Sequence, residues 1–417
     1  MIDRFVWQRF GVCLVLIPIL TGLFWILMTA VMALPDAPIK EHILEDVTLL
    51  NTDYEAAFNG RRIDLFTECI GVTAGMAPLL PNEPRAVTVP IWIGCDPMQR
   101  GLARQEASEN ISAQVYHRYW HGYAVPGRVL LSALPYADVR GVVFLATSWL
   151  MIWLAVRLSR LAGAGFTAAF FLPFLFVNFA GPLMLLTKAV AWWVLLGVSV
   201  WLAGKKRDHT RLPLVTFFLC GALTAYTDFL TTPALNAAIP AMVWWVAWRD
   251  NTEQPLGDLF WLMSFFALGY VGLWAAKFIL AAAILGPSVW ADIGAAASLR
   301  LRGGDTSSWP LMATLKNIEA FKALWGPLTI ITFGILPFAT RERRARARML
   351  WREGKVFLLI ALTPILFMEI LSGHAQVHGF FTHVNFLPLL IVSSLILFGE
   401  QAMVTRLPLP EHPDPHI

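Results

Sequence analysis

Long apolar runs recur along the chain, at 10–34, 141–156, 162–177, 182–203, 214–230, 234–248, 259–285, 323–339, 356–371 and 386–398. Inside a bilayer a backbone amide can bond only within its own helix or around a closed barrel, and these runs lack the alternating polarity of barrel strands. The pattern predicts an all-α polytopic membrane protein of about ten transmembrane helices. The first run is too long for a signal-peptide core and has no convincing cleavage site, so it is expected to be retained. From 35 to 138 the pattern breaks, with charges, prolines and glycines placed as no membrane segment tolerates. A large first external loop domain, big enough for a modest core of its own, is expected there. It follows a cytoplasmic N-terminus and first helix over 1–34 and precedes a transmembrane bundle over 139–400. A cytoplasmic tail over 401–417, Pro-rich from Leu407 to Pro415, is expected to be a disordered end.

Composition sharpens this picture. Over 417 residues, 57% are hydrophobic and only 14% charged, which argues against a set of soluble domains. The formal net charge is +4 and the basic residues fall in short clusters between apolar runs, so no nucleic-acid partner is expected. Arg157, Arg160, Lys205, Lys206, Arg207, Arg211, Arg249 and the stretch from Arg341 through Arg348 to Lys355 share the side of the N-terminus. The opposite short loops around Asn178, Tyr226–Thr232 and Gly373–His383 carry no Lys or Arg. Both termini are therefore expected to be cytoplasmic, with the insert facing the periplasm or the cell exterior. Arg341–Arg348 reads as the orientation signal and an anionic-lipid contact. Cys13 and Cys220 lie in apolar helices and behave as small hydrophobes, whereas Cys69 and Cys95 share the oxidising side and are expected to form a disulfide.

Ionisable groups beside membrane helices are costly, so where they gather is informative. They gather on the insert's side. Asp64 and Glu68 stand four apart in the apolar segment Ile63–Ile70, and on a helix would share a face. A buried carboxyl pair separates in pKa, as a general base or acid needs, although Asp64 also suits a helix cap. Glu45, Asp46, Asp53 and Glu55 read as solvated loop acids. The segment Tyr116-His117-Arg118-Tyr119-Trp120-His121-Gly122-Tyr123 mixes rings, imidazoles and a guanidinium, which stack on sugars and grip phosphates but also suit an interfacial aromatic belt. Asp228 sits in a broken hairpin that either lines a cavity or caps the helix after Pro233. His374, His378 and His383 suit an anionic or sugar ligand, or are satisfied loop histidines; without HExxH or CxxC, zinc is disfavoured. Lys188 and Lys277, the only lysines inside apolar runs, lie near their spans' outer ends and either snorkel or bind a lipid phosphate. P-loop, dinucleotide and nucleophile-elbow motifs are missing from the sequence.

A cytoplasmic first helix, a large first external loop bearing carboxylates and an outer crown of Tyr, His, Trp and Asp together resemble the GT-C superfamily of membrane glycosyltransferases. Tyr119-Trp120-His121-Gly122-Tyr123, Thr227-Asp228-Phe229-Leu230-Thr231-Thr232-Pro233 and Phe380-Phe381-Thr382-His383 look like segments of poorly characterised bacterial GT-C-like proteins. The resemblance implies transfer of a sugar from a polyprenyl-phosphate donor to a cell-envelope glycan or lipid acceptor, with a carboxylate of the first external loop as base. By position that base is Asp64, with Glu68 or the Glu45-Asp46 pair as substitutes. The chain departs from the family pattern in having no carboxylate pair directly after its first helix. Substrate contacts are expected from Tyr119, His121, Tyr123, Asp228, Lys277, Arg300 or Arg302, His374, His378 and His383. No cofactor beyond the lipid-linked donor is implied, and a metal is dispensable because phosphate is a good leaving group. The rival reading is a transporter or flippase of a lipid-linked or anionic substrate, with Lys188, Lys277 and Asp228 along its path. No inverted repeat is visible and the polar residues crowd at one face, which counts against it.

Overall fold

A computed structural model of the chain describes residues 2–50, 55–58, 61–78, 84–103, 113–177, 179–204, 212–248, 252, 254–303, 306–319 and 326–398. Expectations that fell on Asp53, Asn178, Lys205, Lys206, Arg207, Arg211, Arg249 and the tail 401–417 lie outside the described residues.

The first helix, α1 (Ile2–Met32), leads into the insert. There the elements are α2 (Asp36–Glu45), β1 (Glu55–Phe58), β2 (Arg61–Asp64), α3 (Leu65–Val72), α4 (Arg85–Thr88), β3 (Pro90–Trp92), α5 (Cys95–Ala103), β4 (Ala113–Val115) and α6 (Ala124–Leu131). Two small antiparallel ladders punctuate an otherwise helical chain. In one, Glu55 stands opposite Asp64; in the other, Pro90 stands opposite Val115. The bundle follows as α7 (Tyr136–Ala162), α8 (Ala164–Phe171), α9 (Ala180–Met184), α10 (Leu186–Gly204), α11 (Leu214–Thr227), α12 (Pro233–Trp248) and α13 (Pro255–Leu285). Then come α14 (Ser288–Arg302), α15 (Met312–Glu319), α16 (Gly326–Thr329), α17 (Arg341–Glu353), α18 (Lys355–Ile370), α19 (Ser372–Val377), α20 (Gly379–Thr382) and α21 (Leu387–Phe398).

Four helices, Arg4–Met32, Tyr136–Ala162, Leu186–Gly204 and Pro255–Leu285, are long and apolar enough to cross a membrane. The outer faces of α1, α7 and α13 expose Ile26, Leu145, Ile152, Phe260 and Val271. In water these would form large apolar patches, whereas against hydrocarbon they cost nothing, so this is a membrane protein. The remaining apolar runs also form helices, but shorter ones such as Ala164–Leu175, Leu214–Thr227 and His383–Phe398. The expected span 182–203 is broken: the backbone turns extended at Leu185, separating short α9 from α10.

Two large apolar cores hold most of the buried hydrophobic side chains among the described residues, beside two small clusters. One lies within the bundle, around Trp192, Phe217, Phe218, Trp244 and Trp245. The other joins Ile39, Trp92, Trp120 and Tyr123 of the insert to Phe24 of α1, Val139 of α7, Ala189 of α10 and Ala222 of α11. The insert therefore shares its core with the bundle instead of keeping one to itself. Where α11 crosses α13, a Cβ on Gly221 would strike the Phe266 carbonyl and one on Gly269 the Phe218 carbonyl, so only glycine lets these backbones touch.

Arg128 ties α1 to the insert. Wholly buried, it donates from Nε to the Val31 carbonyl (2.8 Å) and from Nη2 to the Leu34 carbonyl (3.0 Å) and to Asp36 (2.6 Å). Val31 stands in the last turn of α1, where its carbonyl also accepts from the Leu34 amide at 3.2 Å, and Leu34 lies just past the helix end, so the guanidinium completes the bonding of this terminus. Asp36 also pairs with Arg85 at 2.6 Å.

Cys69 and Cys95 form the expected disulfide between α3 and α5, with Cα atoms 5.1 Å apart, while Cys13 and Cys220 are free and buried. Closing a loop with a sequence separation of 26 removes disorder from the unfolded chain, so reduction should cost about 3–4 kcal/mol. A thermal scan with and without reductant measures this. An unchanged midpoint after full reduction would show that packing alone holds α3 against α5.

Candidate functional site

Asp64 ends β2 and caps α3: one carboxylate oxygen accepts from the Thr67 amide (3.0 Å), the other from the Thr67 hydroxyl (2.6 Å). The second oxygen also lies 2.8 Å from the ammonium of Lys188, in the first turn of α10. Both side chains are buried, Asp64 at 4% exposure and Lys188 at 6%. Burial alone would raise the Asp64 carboxyl, but the Lys188 ammonium and the Thr67 donors hold it below its usual range. Lys188 also sits 4.2 Å from the centre of the Phe381 ring, a cation over an aromatic face. Its remaining ammonium protons have no acceptor among the described residues. A buried ammonium with spare donors is an incomplete anion site.

The pair opens on a small pocket of about 30 Å³ whose wall includes Thr231, Thr232, Trp192 and Phe381. That is room for about one water, so a larger ligand must displace part of the wall. Thr231 and Thr232 are set by Asp228, which accepts from the Thr231 amide (2.8 Å), the Thr231 hydroxyl and the Thr232 amide. Asp228 thus holds the turn between α11 and α12, bonding amides ahead of Pro233 and not the first amides of α12, and shapes the pocket without lining it. The Thr232 hydroxyl, at the wall, has no partner among the described residues. In the same hairpin Leu230 has φ 68°, and its carbonyl accepts from His374 Nε2 at 3.0 Å. Strained non-glycine backbone beside a pocket is a mark of a functional site.

His374 and His378 pack with tilted rings, their centres 4.6 Å apart, and His378 stacks on Phe381. Burial pushes His378 down to about 4, with the Lys188 and Arg300 charges acting the same way against Asp64. Arg300, on α14, donates to the Tyr119 hydroxyl at 2.6 Å, while its Nε has no partner among the described residues. Asp64, Lys188, His374, His378, Arg300 and Tyr119 therefore form one neighbourhood, drawn from β2, α10, α19, α14 and the Tyr116–Tyr123 segment.

Other expected residues stand apart from it. Glu68 is wholly buried and accepts from Tyr136 (3.0 Å), the Leu186 and Thr187 amides (2.9 and 3.0 Å) and the Thr187 hydroxyl (2.6 Å). It serves as the N-terminal cap of α10, which holds Lys188 in place, and does not face the pocket. Gly71 allows the close approach, since a Cβ there would strike Thr187. Lys277 donates to the Val87 carbonyl (3.1 Å) and lies over Trp120, pinning α13 to α4. His383 folds back on the Gly379 carbonyl at 3.0 Å. Asp46 accepts from the Ala137 amide and caps α7. The sugar-stacking role expected of Tyr119, His121 and Tyr123 meets a packed interior: all three are buried. Trp120 donates to the Leu273 carbonyl, and Tyr123 packs on Phe229 at 4.5 Å.

His121 is locked, with φ 59°, Nε2 at 2.8 Å from the Tyr116 carbonyl and Nδ1 at 2.5 Å from the Tyr123 hydroxyl. The carbonyl requires a proton on Nε2, so Nδ1 accepts from Tyr123. Burial lowers its pKa to about 3. A histidine depressed from 6.5 stabilises the fold fully above pH 6.5, and this contribution shrinks as pH falls toward 3. His121→Gln should therefore lose less stability than wild type between pH 7.5 and 5.5, the difference being at most about 1.4 kcal/mol per pH unit. Identical pH dependence of the two thermal midpoints would contradict the locked neutral ring.

One further contact joins residues far apart in the sequence. Arg118 grips Asp292 of α14 at 3.0 and 3.1 Å, with His117 3.2 Å from the same carboxylate. This clamp fastens the insert to the helix that carries Arg300. Comparison of the chain with protein-family models, with curated proteins and with solved structures finds no match.

Proposed function

We propose that the chain is a GT-C-type membrane glycosyltransferase, moving a sugar from a polyprenyl-phosphate donor to a cell-envelope glycan or lipid acceptor. In this reading about ten spans cross a bacterial inner membrane with both termini cytoplasmic and the site on the external face. The observation that carries it is the buried Asp64–Lys188 pair, an acid and a cation beside one pocket with ammonium protons to spare. An arriving donor phosphate takes the Lys188 ammonium from Asp64, and Arg300 adds a second cation. The freed carboxylate accepts the proton of the acceptor hydroxyl as its oxygen bonds the anomeric carbon. The bond from that carbon to the phosphate oxygen breaks, and the electron pair leaves with the phosphate. Lys188 replaces Lys277 as the expected phosphate contact, because Lys277 is committed to the Val87 carbonyl.

Two features favour transfer over transport. The charged groups cluster at the insert's end, and the interior beyond them is packed with Trp192, Trp244, Trp245, Phe217 and Phe218. Asp64→Asn should leave donor affinity unchanged or tighter, since Lys188 then serves the phosphate alone, yet slow transfer about a hundredfold or more. The assay uses protein in vesicles with a radiolabelled polyprenyl-phosphate sugar and envelope acceptors, scored by label released from the lipid. Near-normal turnover by Asp64→Asn removes that residue from the chemistry. Lipid crossing the vesicle without release of sugar would favour the flippase.

A further inference from the structure

Across α9 from the Asp64–Lys188 pocket lies a second cavity of about 410 Å³, within the range of small-molecule sites. Leu49, Phe144, Leu183 and Met184 make its wall apolar, and Arg140 stands in the same wall. Arg140 forms no hydrogen bond or ion pair with any described residue. The short helix α9 is a partition: Gly181 and Pro182 face the charged pocket, while Ala180, Leu183 and Met184 face the groove. Beside the opening, Phe144 and Leu145 are 50% and 68% exposed on α7, one of the membrane-length helices, so the groove opens toward lipid.

An apolar trough with an unpaired guanidinium complements an amphiphile with an anionic head, because the planar fork binds phosphate in two places while the walls desolvate a chain. Bilayer phospholipid is the amphiphile that meets this opening at the highest concentration. We propose that the groove holds one anionic phospholipid, its phosphate on Arg140 and an acyl chain along Leu49, Phe144, Leu183 and Met184. The site stands independently of the transferase reading. Because α9 is shared, the lipid props one wall of the Asp64–Lys188 pocket, which ties the shape of that pocket to the occupancy of the groove.

Native mass spectrometry of the full chain, released from detergent, tests this with phosphatidylglycerol, polyprenyl phosphate and inorganic phosphate as separate probes. One phosphatidylglycerol should remain bound per chain, and Arg140→Gln, a change at a partly exposed side chain, should weaken it at least about tenfold. Leu183→Trp, which fills the groove and leaves the charge, should weaken it too; each variant's thermal midpoint confirms that it is folded. Equal retention of phosphatidylglycerol by wild type and Arg140→Gln would overturn the proposal. So would binding of polyprenyl phosphate that is lost in Arg140→Gln and not displaced by phosphatidylglycerol, because the groove would then be a donor channel. Saturable binding of inorganic phosphate alone, with no lipid retained, would equally overturn it.

Discussion

Lys188→Met is expected to destabilise the folded protein by about 3–5 kcal/mol and to abolish binding of a polyprenyl monophosphate. The stability loss arises because methionine fills the space of the side chain but leaves the Asp64 carboxylate buried without its counter-charge, only the two Thr67 donors remaining. The double variant Asp64→Asn, Lys188→Met has no buried charge at the pair and should recover most of that stability. It should recover neither donor binding nor transfer. Thermal or denaturant midpoints of the four proteins, with donor binding measured on the same samples, separate the two effects. A Lys188→Met protein as stable as wild type, or a double variant no more stable than the single one, would show that the two groups are not energetically paired.

Arg128→Leu should cost about 2–3 kcal/mol, the scale of lost charge-assisted hydrogen bonds, without any direct effect on the pocket. The guanidinium is wholly buried, and it satisfies the Val31 and Leu34 carbonyls while pairing with Asp36. Leucine restores apolar volume but removes the Leu34 carbonyl's side-chain donor, leaves the Val31 carbonyl with the Leu34 amide alone, and leaves Asp36 with only Arg85. Lysine offers one point charge in place of the planar fork, so Arg128→Lys should recover only part of the loss. Limited proteolysis near Pro35 reads the same defect locally, through release of the end of α1. Wild-type resistance and midpoint in Arg128→Leu would contradict this account of how α1 is anchored.

Much of the helical plan was legible because unbroken apolar runs have few physical outcomes. The run at 259–285 lies within a helix long enough to cross a membrane, and the run at 10–34 does so up to Met32, where its helix ends. Others, such as 214–230, become helices too short to meet the same length, since Asp228 and Pro233 terminate them in a tight turn. The Cys69–Cys95 bridge was legible from compartment and separation. The choice between Lys188 and Lys277 was not. Both are lone lysines near the outer ends of apolar runs, and only distant partners separate them, Asp64 for one and the Val87 carbonyl for the other. Glu68 misled for the same reason, because the amides it caps lie 118 and 119 residues away. The Tyr116–Tyr123 rings signalled the right region but the wrong task. Their aromatic faces bury against Phe229 and Trp274 and leave Tyr119 to hold Arg300. The charge break at 35–138 suggested a separate core, whereas Trp92 and Trp120 share theirs with α1.

The most direct measurement of the central claim is an experimental structure of the protein in a lipid nanodisc with a polyprenyl monophosphate sugar bound. The account predicts a phosphate oxygen about 2.7–2.9 Å from Lys188 Nζ, Arg300 turned toward the same phosphate, and the Asp64 carboxylate released on the acceptor side of the sugar. A phosphate seated on Lys277 or Arg140, with the Asp64–Lys188 pair still closed at its present distance of 2.8 Å, would contradict it.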